Sequence, residues 1–291
     1  MSANHARRAL QAAIAADDVV VAPGVFDGLS ASLVGRLGFS AAYMTGAGVA
    51  ASGFGLPDIG LVTQTEMVDR VRMLAGVLRE VPLIADADTG YGPPLNVIRT
   101  VREYEAAGAA AIQLEDQAFP KKCGHLPDKQ VIDTTEFVKK LNAALSARID
   151  PDFVVIARTD ARAPLGLDAA IERANAYAAA GADMIFVEAP QGVDEIERIA
   201  REVSAPLLIN LVIGGLTPIE STTRLGDLGY AIAIHPSMPL GVAAYAMLSG
   251  LAELAGRDPA PLLPSKPADF FNLVGLAEWS ELGERYRPEG A

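Results

Sequence analysis

The sequence predicts a single (β/α)8 barrel, and two features of the chain support that prediction. Short apolar runs alternate with Ala-, Glu- and Arg-rich stretches of helical spacing along residues 1–291. The runs are apolar almost throughout, as parallel strands buried on both faces require. They begin at Val19, Ala41, Pro82, Ala110, Phe153, Met184, Pro206 and Ala231. Eight alternations favour a closed barrel over an open doubly wound sheet, and no break in composition divides the chain into two domains.

The helices between the runs have sequence signals of their own. LDAAIERANAYAAAGAD, which precedes the sixth run, repeats alanine and charged residues at helical spacing. Gly108 and Gly181 stand just before the fourth and sixth runs, where glycine ends the preceding helix. Strand and helix therefore recur in the order that a parallel sheet requires.

The segments at the two ends of the chain are predicted to be helices outside the repeats. Residues 1–18 form an amphipathic pattern and lack the apolar core of a signal peptide. Residues 266–291 follow a proline-rich link and form an apolar helical extension that carries Phe270, Phe271 and Trp279. This extension needs a surface to cover, on its own barrel or on a neighbouring subunit, and we favour exchange between subunits.

Composition and charge exclude several classes of function. A net charge of −12 argues against a surface for nucleic acid or for an anionic membrane. Aspartate, glycine or proline interrupts every apolar run before it reaches membrane-spanning length. The lone cysteine excludes an intramolecular disulfide and indicates a reducing compartment, so we expect a cytoplasmic protein. An anionic substrate would need a local cation, either a metal ion or an arginine.

Carboxylates follow two neighbouring runs, at the face where a barrel carries its active site. Asp86 and Asp88 stand two residues apart and face one side of the third run, and Glu115 ends the fourth. Oxygen ligands with few nitrogens fit Mg²⁺ or Mn²⁺ with several retained waters. The alternative is that some of these carboxylates cap the helices that follow. Asp58 is either an outer-shell carboxylate or a turn residue, and both interpretations stay open.

Candidate anion-binding residues end other runs. Thr45, Gly46 and Ala47 are small enough to leave backbone N–H groups for a substrate carboxylate, although an ordinary tight turn has the same composition. Arg158 is expected to hold a substrate carboxylate in bidentate fashion, and its alternative role is to balance the acidic cluster. Other substrate-binding candidates are Lys121, Gly124, Glu188, Asn210 and His235, the last of which is equally typical of a core histidine.

The lone cysteine, Cys123, lies in a loop beside two lysines and His125. These neighbours are expected to lower the pKa of its thiol. The thiol is then a nucleophile with His125 as its base, or a general acid that protonates a carbanion. A surface cysteine without function is the third interpretation. One cysteine without a His-x-x-x-His pattern does not indicate a zinc site.

Absent features also restrict the chemistry. The lysines lie outside the predicted strands, which disfavours an imine-forming aldolase and favours a metal as electron sink. They are Lys121, Lys122, Lys129, Lys139, Lys140 and Lys266. A Walker loop and a glycine-rich dinucleotide fingerprint are also missing.

Three motifs in order resemble the isocitrate lyase and phosphoenolpyruvate mutase superfamily. They are DADTGYG at 86–92, KKCGH at 121–125 after LEDQ, and ARTDA at 157–161. The likeness runs from about Val19 to Ser237 and is nearest to the short lyases of the methylisocitrate, dimethylmalate and petal-death types. It implies a barrel with an exchanged C-terminal helix, a homotetramer built as a dimer of dimers, and Mg²⁺ or Mn²⁺ held largely through water. The implied metal-binding residues are Asp86, Asp88 and Glu115.

The resemblance also implies a mechanism for cleaving a 2-hydroxy di- or tricarboxylate with release of a keto acid such as pyruvate. The substrate chelates the metal against residues 45–47, and Arg158 clamps its carboxylate. A base, either Tyr43 or a nearby carboxylate, removes the hydroxyl proton. Cys123 then protonates the released enolate from a closed loop. Branches of the superfamily that act on phosphorus–carbon bonds typically lack this cysteine, which favours carbon–carbon cleavage.

Two departures from the family pattern narrow the range of expected substrates. Short lyases often carry a glutamate where Ile213 stands, and methylisocitrate lyases carry an arginine near the position of Gly241. This end of the pocket is therefore less polar, which favours an alkylated malate over a tricarboxylate. Ile213 leaves oxaloacetate cleavage or decarboxylation open. A carboxyphosphonoenolpyruvate or phosphoenolpyruvate mutase-type enzyme also stays open, and so does a catalytically silent barrel that only binds.

Overall fold

Eight parallel strands close into a barrel in a computed structural model that describes residues 3–260, 264 and 266–286. Each strand pairs with its neighbours in chain order, and β8 pairs with β1. The strands are β1 (Val20–Val25), β2 (Ala42–Met44), β3 (Leu83–Asp86), β4 (Ala111–Glu115), β5 (Val154–Thr159), β6 (Met184–Val187), β7 (Leu207–Asn210) and β8 (Tyr230–His235). Each strand begins within one residue of its predicted run, so the barrel is confirmed and the open sheet was the wrong alternative.

One helix precedes β1, and the helices that connect the strands cover the outside of the barrel. The helices are α1 (Ala3–Ile14), α2 (Gly28–Arg36), α3 (Gly46–Val49), α4 (Gln64–Leu78), α5 (Pro94–Ala107), α6 (Thr134–Ala147), α7 (Arg162–Leu165), α8 (Leu167–Ala179), α9 (Val193–Glu202), α10 (Thr222–Asp227), α11 (Met238–Leu254), α12 (Pro267–Asn272) and α13 (Leu276–Arg285). A π-helical turn, Ala50–Phe54, continues α3. Gly108 adopts φ +104° just after α5, which confirms the predicted glycine stop. None of the described helices is long and apolar enough to cross a bilayer.

The strands bury both of their faces, as their continuous apolar character predicts. One face packs into the barrel interior, where Ile84, Ile156 and Phe186 are fully buried in one cluster. The other face packs against the surrounding helices in a larger cluster, to which Ile112 and Val155 belong. Successive strand residues alternate between these two layers. At the carboxyl ends of the strands, the residues that face inward are polar, and this is the end where a barrel carries its active site.

The N-terminal helix α1 covers the amino end of the barrel. Leu10 is fully buried in the interior cluster. Arg7 donates hydrogen bonds to the carbonyls of Glu105 (2.6 Å) and Ala109 (3.2 Å) and to the carboxylate of Asp150 (2.9 Å). These partners come from segments that precede β4 and β5, at the end opposite to the predicted active face. A buried arginine needs such partners, and here they attach α1 to the barrel.

The C-terminal extension differs from the prediction of one helix. It forms two short helices, α12 and α13, separated by residues 273–275. Gly275, the N-cap of α13, has a left-handed φ of +83°, which glycine adopts readily. Phe271 is buried against its own barrel, whereas Trp279 is 37% exposed. A single chain does not test exchange between subunits, which stays a prediction. Residues 287–291 of the predicted extension lie outside the described residues.

Candidate active site

A cavity of about 460 Å³ opens at the carboxyl ends of the strands. Its wall contains most of the residues predicted for the site: Tyr43, Thr45, Ala47, Asp58, Asp86, Glu115, Lys121, Cys123, Gly124, His125, Arg158, Glu188 and Asn210. Three predicted residues, Gly46, Asp88 and His235, do not line this cavity. His235 follows Ile234, which does line it, and successive strand residues face opposite sides. His235 thus lies outside the cavity lining, and its predicted substrate-binding role stays a prediction.

Asp86 is held by several hydrogen-bond donors at the end of β3. Its Oδ2 accepts from the backbone N–H of Gly46 (3.2 Å), and its Oδ1 accepts from Gln113 Nε2 (3.2 Å) and from the N–H of Asp88 (3.1 Å). A Cβ on Gly46 would lie 2.8 Å from Asp86 Oδ2, so only glycine fits there. The N–H of Gly46 thus serves Asp86 and is not left for a substrate carboxylate, contrary to the prediction.

Lys121 connects two further carboxylates beneath the loop. Its ammonium forms ion pairs with Asp58 and, at 2.6 Å, with Asp88. Burial opposes the charge of Lys121, but these carboxylates raise its pKa well above the ordinary value. Burial also raises the pKa of Asp88 to about 7, although Lys121 acts in the opposite direction. Asp58 therefore serves as a lysine partner in this structure.

The acidic residues suit a hydrated cation better than a directly bound one. No group of three or more His, Cys, Asp or Glu among the described residues is arranged to coordinate an ion by itself. The buried Oε1 of Glu115 nevertheless has no hydrogen-bond partner among these residues. Burial also raises the pKa of Glu115 well above its ordinary value. An unpartnered carboxylate oxygen of Glu115, in the cavity wall that also contains Asp86, is a suitable partner for waters bound to Mg²⁺.

Arg158 lies in the cavity wall. Its Nε and Nη2 donate to the two oxygens of Asp160, at 2.8 and 3.0 Å, and its Nε lies 3.4 Å from Glu115 Oε2. The guanidinium carbon lies 5.0 Å from the ring centroid of Phe186. Asp160 and Phe186 therefore fix the orientation of a cation that lines the cavity. The structure is compatible with both predicted roles of Arg158, substrate clamp and charge balance.

The loop carrying Cys123 is held against the barrel by backbone and side-chain contacts. The N–H of Cys123 donates to the carbonyl of Asp58 (3.0 Å). Gln117 brackets Lys122, since its Oε1 accepts from the Lys122 N–H (2.9 Å) and its Nε2 donates to the Lys122 carbonyl (2.8 Å). A Cβ on Gly124 would lie 2.3 Å from an oxygen of Glu188, so the loop approaches the cavity wall as closely as glycine allows.

The contacts of His125 indicate one tautomer of its neutral ring. The backbone N–H of Leu216 donates to Nδ1 at 3.2 Å, which assigns the ring proton to Nε2, 3.3 Å from Glu188 Oε1. Burial lowers the pKa of His125, which favours the neutral ring. Asn210 Nδ2 also donates to Glu188 Oε1 at 3.2 Å. Because Nδ1 is occupied and Nε2 carries the proton, this geometry does not favour His125 as a base for the thiol.

The pKa of Cys123 moves in the direction opposite to the prediction. Burial, with a further contribution from Asp58, raises the thiol pKa to about 12. Lys121 has the expected lowering effect but is weaker, because its ammonium is paired with Asp58 and Asp88. The expectation of a lowered pKa is therefore wrong. A thiol that stays protonated at neutral pH suits a general acid rather than a nucleophile.

Tyr43 is a hydrogen-bond donor in this site. Its hydroxyl donates to Gln113 Oε1 at 2.6 Å, and Gln113 in turn donates to Asp86. Burial, followed by the charge of Asp86, raises the phenol pKa well above its ordinary value. A phenol in this state does not favour the predicted role as base and leaves that role to a carboxylate.

Several residues of the site were not identified from the sequence. Gln113 and Asp160 lie two positions from Glu115 and Arg158, so strand alternation offered a signal for both. Gln117 and Lys129 contact the loop 121–125, and no spacing rule identifies them. The outer part of the cavity is mainly apolar, with Lys266 as an added cation. Its residues include Val212, Ile213, Met238, Leu240, Val242, Tyr245, Phe270 and Phe271.

Known proteins are similar to this chain in sequence and in fold. The phosphoenolpyruvate phosphomutase family profile matches residues 10–255. The chain is 46% identical to 2,3-dimethylmalate lyase of Eubacterium barkeri over 271 residues, which cover 92% of this chain and 93% of that protein. It is 42% identical to 2-methylisocitrate lyase of Aeropyrum pernix, covering 91% of this chain and 85% of that protein. The structure of oxaloacetate acetylhydrolase with 3,3-difluorooxalacetate matches with a TM-score of 0.83 and 35% identity, over 100% of this chain and 99% of that chain.

These similarities agree with the motifs around Asp86, Cys123 and Arg158. The relatives named lyases match the carbon–carbon lyase that the motifs predict, and oxaloacetate hydrolysis and phosphomutase chemistry are the neighbouring alternatives. Superfamily members of this kind are metal-dependent, generally on Mg²⁺. From the family match and the similarity over nearly its whole length, the chain belongs to the phosphoenolpyruvate mutase and isocitrate lyase superfamily.

Proposed function

We propose that the protein is a Mg²⁺-dependent lyase that cleaves a carbon–carbon bond of a 2-hydroxy dicarboxylate and releases a keto acid such as pyruvate. The observation that supports this best is the position of Cys123. Its protonated thiol lines a cavity that also contains Arg158 and the buried carboxylates Asp86 and Glu115. An acid, an anion clamp and a cation site are the parts that such a cleavage needs.

Asp86, Asp88 and Glu115 would hold the Mg²⁺ ion, largely through water. When bound, the ion supplies a Lewis acid that polarises substrate oxygens and stabilises the charge that develops on them. The chain supplies the arrangement around it. Gln113 and the N–H of Gly46 fix Asp86, and Lys121 fixes Asp88.

The remaining steps belong to side chains of the cavity. Arg158 binds a carboxylate of the substrate beside Thr45 and Ala47. A cavity carboxylate takes the proton of the 2-hydroxyl, whose oxygen forms the new C=O bond as the C2–C3 bond breaks. The electron pair moves to C3 and its carboxylate, which form an enolate. Cys123 donates its proton to C3, and the thiolate regains a proton from the carboxylate that acted as base.

The apolar outer cavity favours an alkyl-substituted substrate. Ile213 stands where related lyases often have a glutamate, and Leu240, Tyr245 and Phe270 share that part of the wall. Apolar surface contributes about 0.8 kcal/mol for each CH₂ group that it removes from water. We therefore infer an alkylated malate as substrate, as in the named activity of the dimethylmalate lyase relative.

Two observations support different substrates within the same site. Lys266 lines the cavity and offers a cation for a third carboxylate, which favours a methylisocitrate-type substrate. The structural likeness to oxaloacetate acetylhydrolase, together with Ile213, favours oxaloacetate as a further candidate. Phosphoenolpyruvate mutase-type chemistry is a third candidate, against which the presence of Cys123 argues.

We also propose a cytoplasmic homotetramer with an exchanged C-terminal segment. Helix α11 supports an assembly, because Met247, Leu251 and Leu254 are each at least 60% exposed in the single chain. Apolar side chains in such a row are typical of a surface that another subunit covers. The net charge of −12 and the single cysteine support the location.

The test is a product assay with Mg²⁺ across 2,3-dimethylmalate, 2-ethylmalate, 2-methylisocitrate, oxaloacetate and phosphonopyruvate. It measures the keto acid released from the malates and from methylisocitrate, oxalate or pyruvate from oxaloacetate, and phosphoenolpyruvate or pyruvate from phosphonopyruvate. We expect the highest kcat/KM with an alkylmalate and a loss of turnover when EDTA removes the metal. Preference for methylisocitrate would instead indicate that Lys266 binds a third carboxylate, and Lys266→Ala should then raise KM for that substrate alone. Turnover of the phosphonate alone would contradict the carbon–carbon lyase.

Cys123→Ser provides the matched variant for the same assay. A hydroxyl is a much weaker acid than a thiol, so we expect kcat to fall at least about a hundredfold, within the usual range for a lost general acid. The variant should keep its substrate-induced thermal stabilisation. Undiminished kcat would remove Cys123 from the mechanism.

A further inference from the structure

Lys129 is a buried cation that the proposed chemistry does not use. It follows the loop 121–125, its side chain is only 1% exposed, and it does not line the cavity. Its ammonium donates to the backbone carbonyl of Gly124 and, at 2.8 Å, to Asp160 Oδ1. Lys129 thus joins the segment that carries Cys123 to the end of strand β5.

The acceptor Asp160 is also the residue that orients Arg158. Its Oδ2 accepts from Arg158 Nε, and its Oδ1 accepts from both Arg158 Nη2 (3.0 Å) and Lys129. The backbone N–H of Asp160 donates to Asp116 Oδ1 at 2.9 Å, which fixes the position of the carboxylate from behind. The Asp160 carboxylate therefore accepts hydrogen bonds both from Arg158, the proposed substrate clamp, and from Lys129, which bonds to the loop 121–125.

Gly124 is the point at which this arrangement meets the cavity. A Cβ there would lie 2.5 Å from Arg158 Nη2 and 2.3 Å from Glu188 Oε1, so the backbone of Gly124 packs directly on the clamp. Lys129 bonds to the carbonyl of this same residue. A hydrogen bond from a charged donor to a fixed acceptor restricts how far the loop moves from the clamp.

We propose that Lys129 is a positioning residue that keeps the 121–125 loop on Arg158 and so keeps the Cys123 thiol at the cavity. A buried ammonium has a large desolvation cost, which its two partners offset. Replacing it removes the link between Gly124 and Asp160 while leaving every cavity-lining side chain in place. The catalytic consequence rests on the proposed function, but the effect on the loop does not.

The lone cysteine allows a test that needs no substrate. Iodoacetamide labelling of the whole protein, followed by intact mass spectrometry, reports on Cys123 alone because the chain has 1 cysteine. Lys129→Met should raise the labelling rate roughly ten- to a hundredfold, the factor expected for losing a hydrogen bond to a charged group. Lys129→Arg, which keeps charge and donors, should restore most of the protection.

Lys140→Met is the matched control. Lys140 is also buried, and within the described part of the chain it forms no ion pair. Its substitution should leave the labelling rate within about twofold of the unmodified protein. Equal acceleration in both methionine variants would show a general loosening and overturn the proposal, as would an unchanged rate in Lys129→Met. All rates are compared well below the melting temperature of each variant.

Turnover supplies the second readout. With the substrate preferred by the unmodified enzyme, Lys129→Met should lower kcat by at least about tenfold, and Lys129→Arg should recover part of it. A faster labelling rate with unchanged kcat would overturn the catalytic part of the proposal. If no substrate is cleaved by any form while labelling responds as expected, the proposed reaction fails and the role of Lys129 in holding the loop stands.

Discussion

The Cys123 thiol is suited to give up a proton only after a carbanion has formed. A side chain with a pKa of about 12 is protonated throughout the neutral range. Burial is the main cause, and Asp58 adds to it because the carboxylate opposes a second negative charge. The loop contacts that produce this burial also bring the thiol to the cavity wall. The same loop contacts therefore determine both the position of the Cys123 thiol and its protonation state.

This pKa predicts how alkylation of Cys123 depends on pH. The reactive species is the thiolate, whose fraction rises tenfold per pH unit below the pKa. Since the pKa is raised to about 12, the labelling rate should still be rising at pH 10. A synthetic peptide of residues 119–127 is the control, and its rate should level off above about pH 9, near the ordinary cysteine pKa. A plateau between pH 7 and 9 in the folded protein would contradict the raised pKa.

At the scale of elements, strands were predictable and loop contacts were not. An apolar run with a polar end defines a buried parallel strand locally, so all eight strands began within one residue of their runs. The same alternation brought Asp86, Glu115 and Arg158 to one cavity. The surroundings of Cys123 depend on the partners of Lys121, which lie far away in sequence. The prediction from the residues adjacent in sequence therefore had the wrong direction for the shift in the Cys123 pKa.

The division of the C-terminal extension had a similar cause. Its apolar spacing predicts one helix, but α12 ends at Asn272 and the left-handed Gly275 is the N-cap of a new helix, α13. Glycine at that position was visible in the sequence, and helical propensity alone did not indicate a stop. Exchange of this segment between subunits remains a prediction.

The exposed side of α11 leads to a prediction about assembly. Leu251→Asp places a charge among apolar side chains, where burial against another subunit would leave it without a partner. We expect mass photometry to show smaller species than for the unmodified protein. Leu95→Asp changes a leucine that is 79% exposed on α5 and should leave the mass distribution unchanged. An unaltered assembly in Leu251→Asp would contradict an interface on α11.

At the scale of the whole molecule, the barrel gathers negative charge where an anionic substrate has to bind. The chain has a net charge of −12, and Asp86, Asp88 and Glu115, which are part of that total, lie close to the carboxyl ends of neighbouring strands. Lys121 and Arg158 neutralise only part of this cluster. A divalent cation would remove the repulsion between these carboxylates and a dicarboxylate substrate. The proposed metal therefore serves binding as well as bond cleavage.

Metal binding should stabilise the whole fold. Mg²⁺ at a hundred times its Kd is expected to raise the free energy of unfolding by about 2.7 kcal/mol, visible as a higher Tm. Asp86→Ala should abolish that shift. Asp168→Ala, at a side chain 86% exposed on α8, should retain it. A full Mg²⁺-dependent shift in Asp86→Ala would remove this residue from the metal site.

The position of helix α1 indicates where a tether or label can be attached without blocking the cavity. Because Arg7 ties α1 to the amino ends of the strands, this helix lies opposite the cavity, whereas Phe270 and Phe271 bring α12 to the cavity wall. A surface tether or fluorescent label joined ahead of α1 would leave the opening turned toward free solution.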